Sequence, residues 1–390
     1  NTGFETAQYT LNRKDTSSDA YYYVNLGEAK NIQIDSDQIS SATTAMLSNY
    51  TLYLANFNSL NKRLGELRDN TNEHGVWSRV FTGSMSNDFG IGGTQTYLTV
   101  QAGYDYGVTL ENARNYIGVA LAYVSSKNQS KETTIALGRN ASLTGKTTGT
   151  SQGGELAIYN SYIADSGLYS DSILKLAYLN SEFDLFNQAK ASNIANISAV
   201  LSQEVGYIFT FDQVKGLYIT PSGEFSFGYL SQSDFTQTLQ KNNQTYTLTS
   251  SQDAVTIFKS KVEATLGYFF EFGEQEANHA TKGMSLYVGT GYEYDLLLSG
   301  GNINYKSNNS QANQYDALKS DGRVLLNVGT NIVFNDMVRV YADFETTFAG
   351  KINKDYQVNL GVRIGFGDNP TKEEKPTKEE TKAPLSIKSE

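Results

Sequence analysis

Few side chains in this sequence are of a type that carries covalent catalysis. The chain contains no cysteine, which excludes disulfides, thiol nucleophiles and thiolate metal ligands. Its two histidines, His74 and His279, lie far apart in sequence, so a zinc site or a serine hydrolase triad would have to be built on one of them. We therefore expect no metal, no cofactor and no turnover of an external substrate.

The charge and composition of the chain narrow its class further. A net charge of −10 is the wrong sign for a nucleic-acid partner, which requires a basic face. No run of about 18 apolar residues occurs, so the sequence predicts no helical membrane span. The chain has 27 tyrosines and 19 phenylalanines but only 4 prolines, and of these only Pro221 precedes residue 366. Such a composition is typical of a chain that is β-sheet almost throughout, including membrane barrels with a polar interior.

Long alternating segments occupy the chain from Gly75 to Phe366. In the last of them Val358, Leu360, Val362 and Ile364 share one face, while small and polar residues occupy the other. Strands of a soluble β-sandwich are usually shorter than these. Their length, alternation and even number predict an all-β fold, a 12-stranded antiparallel transmembrane β-barrel. The predicted strands lie near residues 75–84, 94–108, 115–126, 150–163, 168–183, 196–211, 217–231, 254–271, 283–297, 322–334, 337–348 and 355–366.

A helical pattern precedes the strands, over residues 39–70. Leu47, Tyr50, Leu54 and Phe57 fall on one face of it. The opposite face is too polar to contact lipid, so the helix must lie in water, in a protein groove or inside a wet pore. An ordinary coiled-coil or linker helix remains open on the pattern alone.

The two ends of the chain differ from its body. Residues 1–38 are polar and mixed, and we interpret them as the remnant of a longer upstream segment whose targeting sequence has been removed. Residues 367–390 have little apolar content and mixed charge, and they predict a disordered tail after the barrel segment 74–366.

A long helix directly before a twelve-strand barrel resembles the translocator unit of type Va autotransporters. The most specific piece is "NSLNKRLGELRD", which is similar to the pore-helix segment of the serine protease autotransporters of enterobacteria. "HGVWSRVFTGS" resembles the first strand of that family, and "GYEYDLLLSGG" and "SDGRVLLNVGTN" resemble its ninth and tenth strands. The resemblance implies that the helix lies inside the pore of the barrel and that the chain upstream of it is exported.

The resemblance also implies a single-turnover self-cleavage inside the barrel. In the family, an asparagine amide in the pore helix attacks its own main-chain carbonyl and releases the upstream passenger. The family cuts between two asparagines that precede Leu-Asn-Lys-Arg, and the matching bond here is Asn58–Ser59. Asn58 keeps the nucleophile position, whereas Ser59 replaces the second asparagine.

Local context transfers four lumenal residues of that family onto this chain, three acids and one base. They are Asp171, Glu204, Glu224 and Arg323. Strand alternation agrees, because apolar neighbours such as Phe225 and Phe227 then face lipid. Carboxylates in a narrow pore can transfer protons in amide cyclisation. The alternative left open is that they only hold the helix by pairing with Lys62, Arg63, Arg68 and Arg323.

The family also implies where the chain resides and what it meets. We expect a monomer in a Gram-negative outer membrane, with the passenger at the cell surface and the tail in the periplasm. The expected partners are outer-membrane lipid, the chain's own passenger, the barrel assembly machinery and periplasmic chaperones. Two alternatives remain, an outer-membrane solute channel and an adhesin that binds through its external loops.

Overall fold

The computed structural model of the protein describes ten segments of the chain. They are residues 5–13, 24–34, 36–57, 72–138, 141–184, 190–241, 243–272, 282–314, 317–334 and 337–367. Asn58, Ser59, Lys62, Arg63, Arg68 and the tail 368–390 lie outside these segments, so the predictions made for them stay predictions.

The described residues form two helical segments and 22 strands. In chain order they are β1 (Glu5–Arg13), β2 (Val24–Ile34), α1 (Ser36–Met46), α2 (Ser48–Ala55), β3 (His74–Asn87), β4 (Gly93–Thr109), β5 (Ala113–Ser130), β6 (Thr133–Gly138), β7 (Ala141–Gly145), β8 (Thr148–Ala164), β9 (Leu168–Asp184), β10 (Lys190–Ala191), β11 (Ile194–Tyr207), β12 (Phe209–Thr210), β13 (Leu217–Leu230), β14 (Ser233–Lys241), β15 (Gln244–Gln252), β16 (Val255–Glu271), β17 (Gly283–Ser299), β18 (Ile303–Ser307), β19 (Gln311–Gln314), β20 (Asp321–Val333), β21 (Val338–Phe348) and β22 (Ile352–Phe366).

Twelve of these strands close into one antiparallel barrel. Neighbouring strands follow the order β3, β4, β5, β8, β9, β11, β13, β16, β17, β20, β21 and β22, and the two-residue β12 extends alongside β13. The barrel closes where β22 pairs with β3, from Ile352 opposite Asn87 to Phe366 opposite His74. A closed sheet leaves no edge with unpaired backbone groups. The predicted 12-stranded antiparallel barrel is confirmed.

Side chains alternate between the two faces of the barrel wall. The outward face carries exposed apolar residues, among them Ile117, Leu121 and Val262, which are 58%, 65% and 61% exposed. The inward face is largely polar and buried. A continuous apolar exterior around a polar interior is the pattern of a barrel that lies in lipid. Neither helix in the described part of the chain is long and apolar enough to cross a membrane.

The two ends of the barrel differ in their connections. At the end that holds His74 and Phe366, short segments such as 110–112 and 165–167 join the strands. At the opposite end the connections 88–92 and 349–351 are short, but the other four carry additional strands, of which β10, β14, β15, β18 and β19 pair into a separate five-stranded sheet. We call this second sheet the external sheet.

The helical segment α1–α2 enters the barrel from the side of the external sheet. Thr43 in α1 shares a hydrogen bond of 2.5 Å with Tyr305 in β18, and Ser41 shares one of 2.9 Å with Thr147. Every residue of α2 is buried, and α2 contacts β3, β4, β9 and β11, which are not all neighbours in the wall. The helix therefore occupies the lumen. It begins three residues before the predicted start, and its described part ends at Ala55.

The strand β1 contacts the external sheet through the carboxylate of Glu5. Glu5 accepts hydrogen bonds from the main-chain N–H of Asn309 at 2.8 Å, from Asn309 Nδ2 at 3.0 Å and from Ser310 Oγ at 3.0 Å. Burial raises the pKa of the Glu5 carboxyl, but hydrogen bonds from Asn309, Ser307 and Ser310 outweigh that effect and lower the pKa below its ordinary value of 4.5.

This docking is expected to weaken in acid. Because the folded pKa is depressed, the contribution of Glu5 is present above pH 4.5 and is lost as the pH falls through the lower folded value. The protection factors of the β1 and β2 amides, which correct for the intrinsic pH dependence of exchange, should therefore fall as the pH is lowered below 4.5, while the barrel strands stay protected. Glu5→Gln should show the faster exchange already at pH 7. Equal exchange of the variant and the wild type across this range would contradict the assignment.

Candidate site in the barrel lumen

Six charged residues on six neighbouring strands lie in register around the lumen. Each is directly opposite the next across its strand pair, and each is at most 7% exposed. We call this row the charged belt, and its members in order are Asp171 in β9, Glu204 in β11, Glu224 in β13, Lys261 in β16, Glu293 in β17 and Arg323 in β20.

The belt brings the three acids predicted from sequence together but separates them from the predicted base. Asp171, Glu204 and Glu224 are consecutive members. Arg323 stands three strands beyond Glu224, after Lys261 and Glu293. Glu204 and Glu224 therefore have Lys261 as their basic neighbour, whereas Arg323 lies beside Glu293 and Asp295.

Lys261 is the cation at the centre of the acidic part of the belt. Its Nζ lies 3.1 Å from Glu224, 3.4 Å from Glu263 and 3.8 Å from Glu204. Ser202 and Ser226 each donate a hydrogen bond of 2.9 Å to Oε1 of Glu224. A buried carboxylate stays charged only when it is paired and hydrogen-bonded, so Lys261 is what allows these acids to lie side by side.

Neighbouring side chains hold the first two acids in place. The Tyr169 hydroxyl donates to Oε1 of Glu204 at 2.9 Å, and Ser161 Oγ donates to Oδ1 of Asp171 at 2.5 Å. The Tyr169 ring lies over Gly206, where a Cβ would come within 2.3 Å of the hydroxyl oxygen. Glycine at this position therefore permits the ring orientation that supports Glu204.

Arg323 belongs to a second ion network at the other end of the belt. Its Nε lies 2.9 Å from Glu293 and its Nη2 lies 2.8 Å from Asp295. Lys259 joins the same two acids at 3.1 Å and 3.6 Å. Arg323 is thus held by two carboxylates at hydrogen-bonding distance, and its local role is to neutralise them.

Sequence reasoning missed the lysines of the lumen. Lys259, Lys261 and Glu263 alternate on the inward face of β16, and Lys175 on β9 pairs with Glu155 at 3.5 Å. Alternation against outward Val262 and Leu174 could have identified them. Which acids they neutralise depends on the cross-strand register, which a single sequence does not contain.

The helix is attached to the wall by polar contacts as well as by packing. Asn49 in α2 donates to Asn196 Oδ1 at 2.8 Å and to the main-chain oxygen of Ile194 at 3.2 Å, and it accepts a hydrogen bond from Ser181. Gln95 donates to the main-chain oxygen of Ser48 at 3.2 Å. A lumen filled in this way can hold a chain in one orientation, and buried acids beside it can act as proton donors or acceptors.

Sequence comparison identifies the relatives of the chain. The autotransporter beta-domain family matches residues 76–345, which is more than half of the chain. The serine protease Pet autotransporter of Escherichia coli O44:H18 (strain 042 / EAEC) is 27% identical over 333 residues, which are 85% of this chain and 23% of that protein. The serine protease SepA autotransporter of Shigella flexneri is 26% identical over 335 residues, 85% of this chain and 22% of that protein. The chain spans about a quarter of the length of these relatives.

Solved structures share the barrel. The translocator domain of the autotransporter NalP from Neisseria meningitidis has a TM-score of 0.60 at 13% identity, over 83% of this chain and 100% of that one. The β-domain of the Bordetella autotransporter BrkA has a TM-score of 0.54 at 18% identity, over 76% of this chain and 100% of that one. At these identities the likeness shows the fold. The resemblance recognised in the helix and strand motifs is confirmed, and the chain belongs to the autotransporter beta-domain family, whose barrels lie in the outer membrane.

Proposed function

We propose that this chain is an autotransporter translocator, which brings the chain upstream of its helix to the cell surface and anchors it there. One observation supports this most strongly. The described residues before, in and after the helix lie in order along the barrel: Glu5 lies against the external sheet, α1–α2 occupies the lumen, and Asn72 and Glu73 lie at the opposite end, where Glu73 O accepts from the N–H of Gly107 at 2.6 Å. Such a path is what an exported passenger would leave behind.

The same path suggests the orientation of the barrel. The external sheet then faces the outside of the cell, and Phe366, which pairs with His74, lies at the periplasmic end. The proposal accordingly has the tail 368–390 in the periplasm and Phe366 as the strand end that the assembly machinery and its chaperones recognise.

We also propose that the translocator releases its passenger by cutting Asn58–Ser59. The Asn58 Nδ2 would attack the Asn58 carbonyl carbon, and the bond from that carbon to the Ser59 nitrogen would break. The passenger then ends in a succinimide, and one proton passes from Nδ2 to the Ser59 amine. The reaction needs a group that moves this proton, and Glu204 and Glu224 are suited to it because they lie side by side in the wall, away from bulk water.

The cleavage is tested by determining the N-terminus of the barrel after extraction from outer membranes, by intact mass and N-terminal sequencing. The wild type should begin at Ser59, and Asn58→Ala should remain uncut. Ser59→Asn, which restores the pair found in the family, is the matched control and should be cut. Glu204→Gln and Glu224→Gln should each slow cleavage by about 100-fold or more if they transfer the proton.

An uncut wild-type chain would overturn the cleavage but not the export. Asp171, Glu204 and Glu224 would then serve to hold the helix, Arg323 would keep its role of neutralising Glu293 and Asp295, and the passenger would stay tethered to the cell. A variant Asn58→Ala that is still cut at the same bond would equally exclude cyclisation by this asparagine.

A further inference from the structure

The last described turn of the helix ends in a socket made by four separate barrel strands. Its residues surround Asn56 and Phe57, the two positions immediately before the proposed nucleophile. We call it the helix-end socket, and it consists of Thr99 in β4, Lys175 in β9, Gly228 in β13 and Lys259 in β16.

Every polar group of Asn56 makes a hydrogen bond. Thr99 Oγ1 donates to Asn56 Oδ1 at 2.8 Å, and Asn56 Nδ2 donates to the main-chain oxygen of Leu52 at 3.1 Å. Lys175 Nζ donates to the main-chain oxygen of Asn56 and is itself paired with Glu155 at 3.5 Å. The Asn56 N–H also closes the helix by donating to Leu52 O at 3.2 Å.

The packing of two aromatic rings against the barrel wall also restricts the position of the helix end. Tyr53 and Phe57 pack edge to face with their ring centroids 5.2 Å apart. Both rings lie against Gly228, where a Cβ would come within 1.9 Å of the Tyr53 hydroxyl oxygen and 2.5 Å of Phe57 Cε2. Lys259 Nζ lies 5.5 Å from the centroid of the Phe57 ring. The wall therefore has one recess for this pair of rings.

Polar contacts and shape together define one depth and one rotation of the helix. A shift of one residue would move the helix by about 1.5 Å and turn it by about 100°. Asn56 would then lose Thr99 and Lys175, and the aromatic pair would leave the recess at Gly228. The ring contacts and the hydrogen bonds come from different strands, so a helix in another register would have to replace both sets at once.

We propose that the helix-end socket is a register stop that determines which asparagine reacts. Asn56 is inert because its amide nitrogen donates back to Leu52 and so points away from its own carbonyl carbon. The proposed cleavage lies two residues further on, after Asn58, so the depth and rotation set at Asn56 and Phe57 would decide whether this bond or the one after Asn56 is cut. The inference rests on the proposed cleavage for its choice of asparagine, whereas the holding of the helix does not depend on cleavage. Thr99, Lys175 and Gly228 are thus positioning residues.

Two matched pairs of variants test the socket. Gly228→Ala fills the recess, whereas Gly223→Ala adds the same methyl group on the same strand, where a Cβ meets nothing within 4 Å. Thr99→Val removes the hydroxyl at nearly constant shape, whereas Thr99→Ser keeps it. The first member of each pair should lose the register and the second should keep it.

Two readouts separate this inference from the proposed cleavage. The first is the N-terminus of the barrel: Gly228→Ala and Thr99→Val should cut at Asn58 about tenfold more slowly than their controls or give a second product that begins at Phe57. The second is single-channel current in the Asn58→Ala background, where the same variants should open about tenfold more often because the helix is held less firmly.

The inference is overturned if both variants match their controls in current and in N-terminus. If the wild type is uncut, the cleavage proposal fails, and the current readout alone then decides whether the socket holds the helix. Should Gly228→Ala fail to assemble, the comparison of Thr99→Val with Thr99→Ser decides the question instead.

Discussion

Arg323→Met is expected to lower the free energy of unfolding of the barrel by about 3–5 kcal/mol. The guanidinium lies 2.9 Å from Glu293 and 2.8 Å from Asp295, and its side chain is only 5% exposed. Its removal leaves two buried carboxylates for which Lys259 is, among the residues that the structure describes, the cation within 4 Å of both. The cost arises from those uncompensated charges rather than from the lost attraction itself.

The matched control is an ion pair on the surface. Lys131 lies 2.9 Å from Asp88, but the two side chains are 62% and 69% exposed. Lys131→Met should therefore change the free energy of unfolding by less than about 1 kcal/mol. Urea unfolding of each barrel in lipid vesicles, with the gel mobility of unheated samples as a second measure, compares the two. Equal losses from both variants would contradict the assigned role of Arg323.

Removal of residues 36–57 should convert a closed barrel into a conducting pore. All eight residues of α2 are buried in the lumen, and the wall around them is lined with polar and charged side chains. Without the helix this polar lining would fill with water, so ions could pass through it. We expect the full chain to show a flat baseline in planar bilayers and the shortened chain to show open channels whose current rises with the KCl concentration.

A chain that lacks only residues 1–13 is the control for this deletion. It loses β1 but keeps α1 and α2, and it should stay closed. The comparison also separates a translocator from a solute channel, because a solute channel would conduct with its native helix present. Steady conductance of the full chain at the level of the shortened chain would favour the solute channel.

The barrel fold could be predicted from the sequence because its main signal, the alternation of outward apolar and inward polar residues, lies within each strand. In β13, outward Phe225, Phe227 and Tyr229 alternate with inward Glu224, and this two-residue period assigns each side chain to a face without knowledge of any partner strand. The helix itself could also be predicted from its periodicity, whereas its place in the lumen was predicted from the family resemblance, because the pattern alone left a linker helix open.

The partners of the lumenal charges were not accessible in the same way. Glu224 was correctly predicted to face inward, but its pairing with Lys261 depends on which residues of β13 and β16 lie opposite each other. That register is a property of the closed barrel. The external sheet joins segments that are remote in sequence, and so does the contact between Glu5 and Asn309. No local sequence pattern predicts either of them.

The most direct test of the account is the location of the chain upstream of the helix. An epitope placed before Asn1, in a chain carrying its own export signal, would be probed on intact cells with antibody and external protease. We predict that the epitope is accessible on unbroken cells at the same level as a second epitope placed in the external sheet. An epitope reached only after the outer membrane is permeabilised, while the epitope in the external sheet is accessible from outside, would contradict export through this barrel.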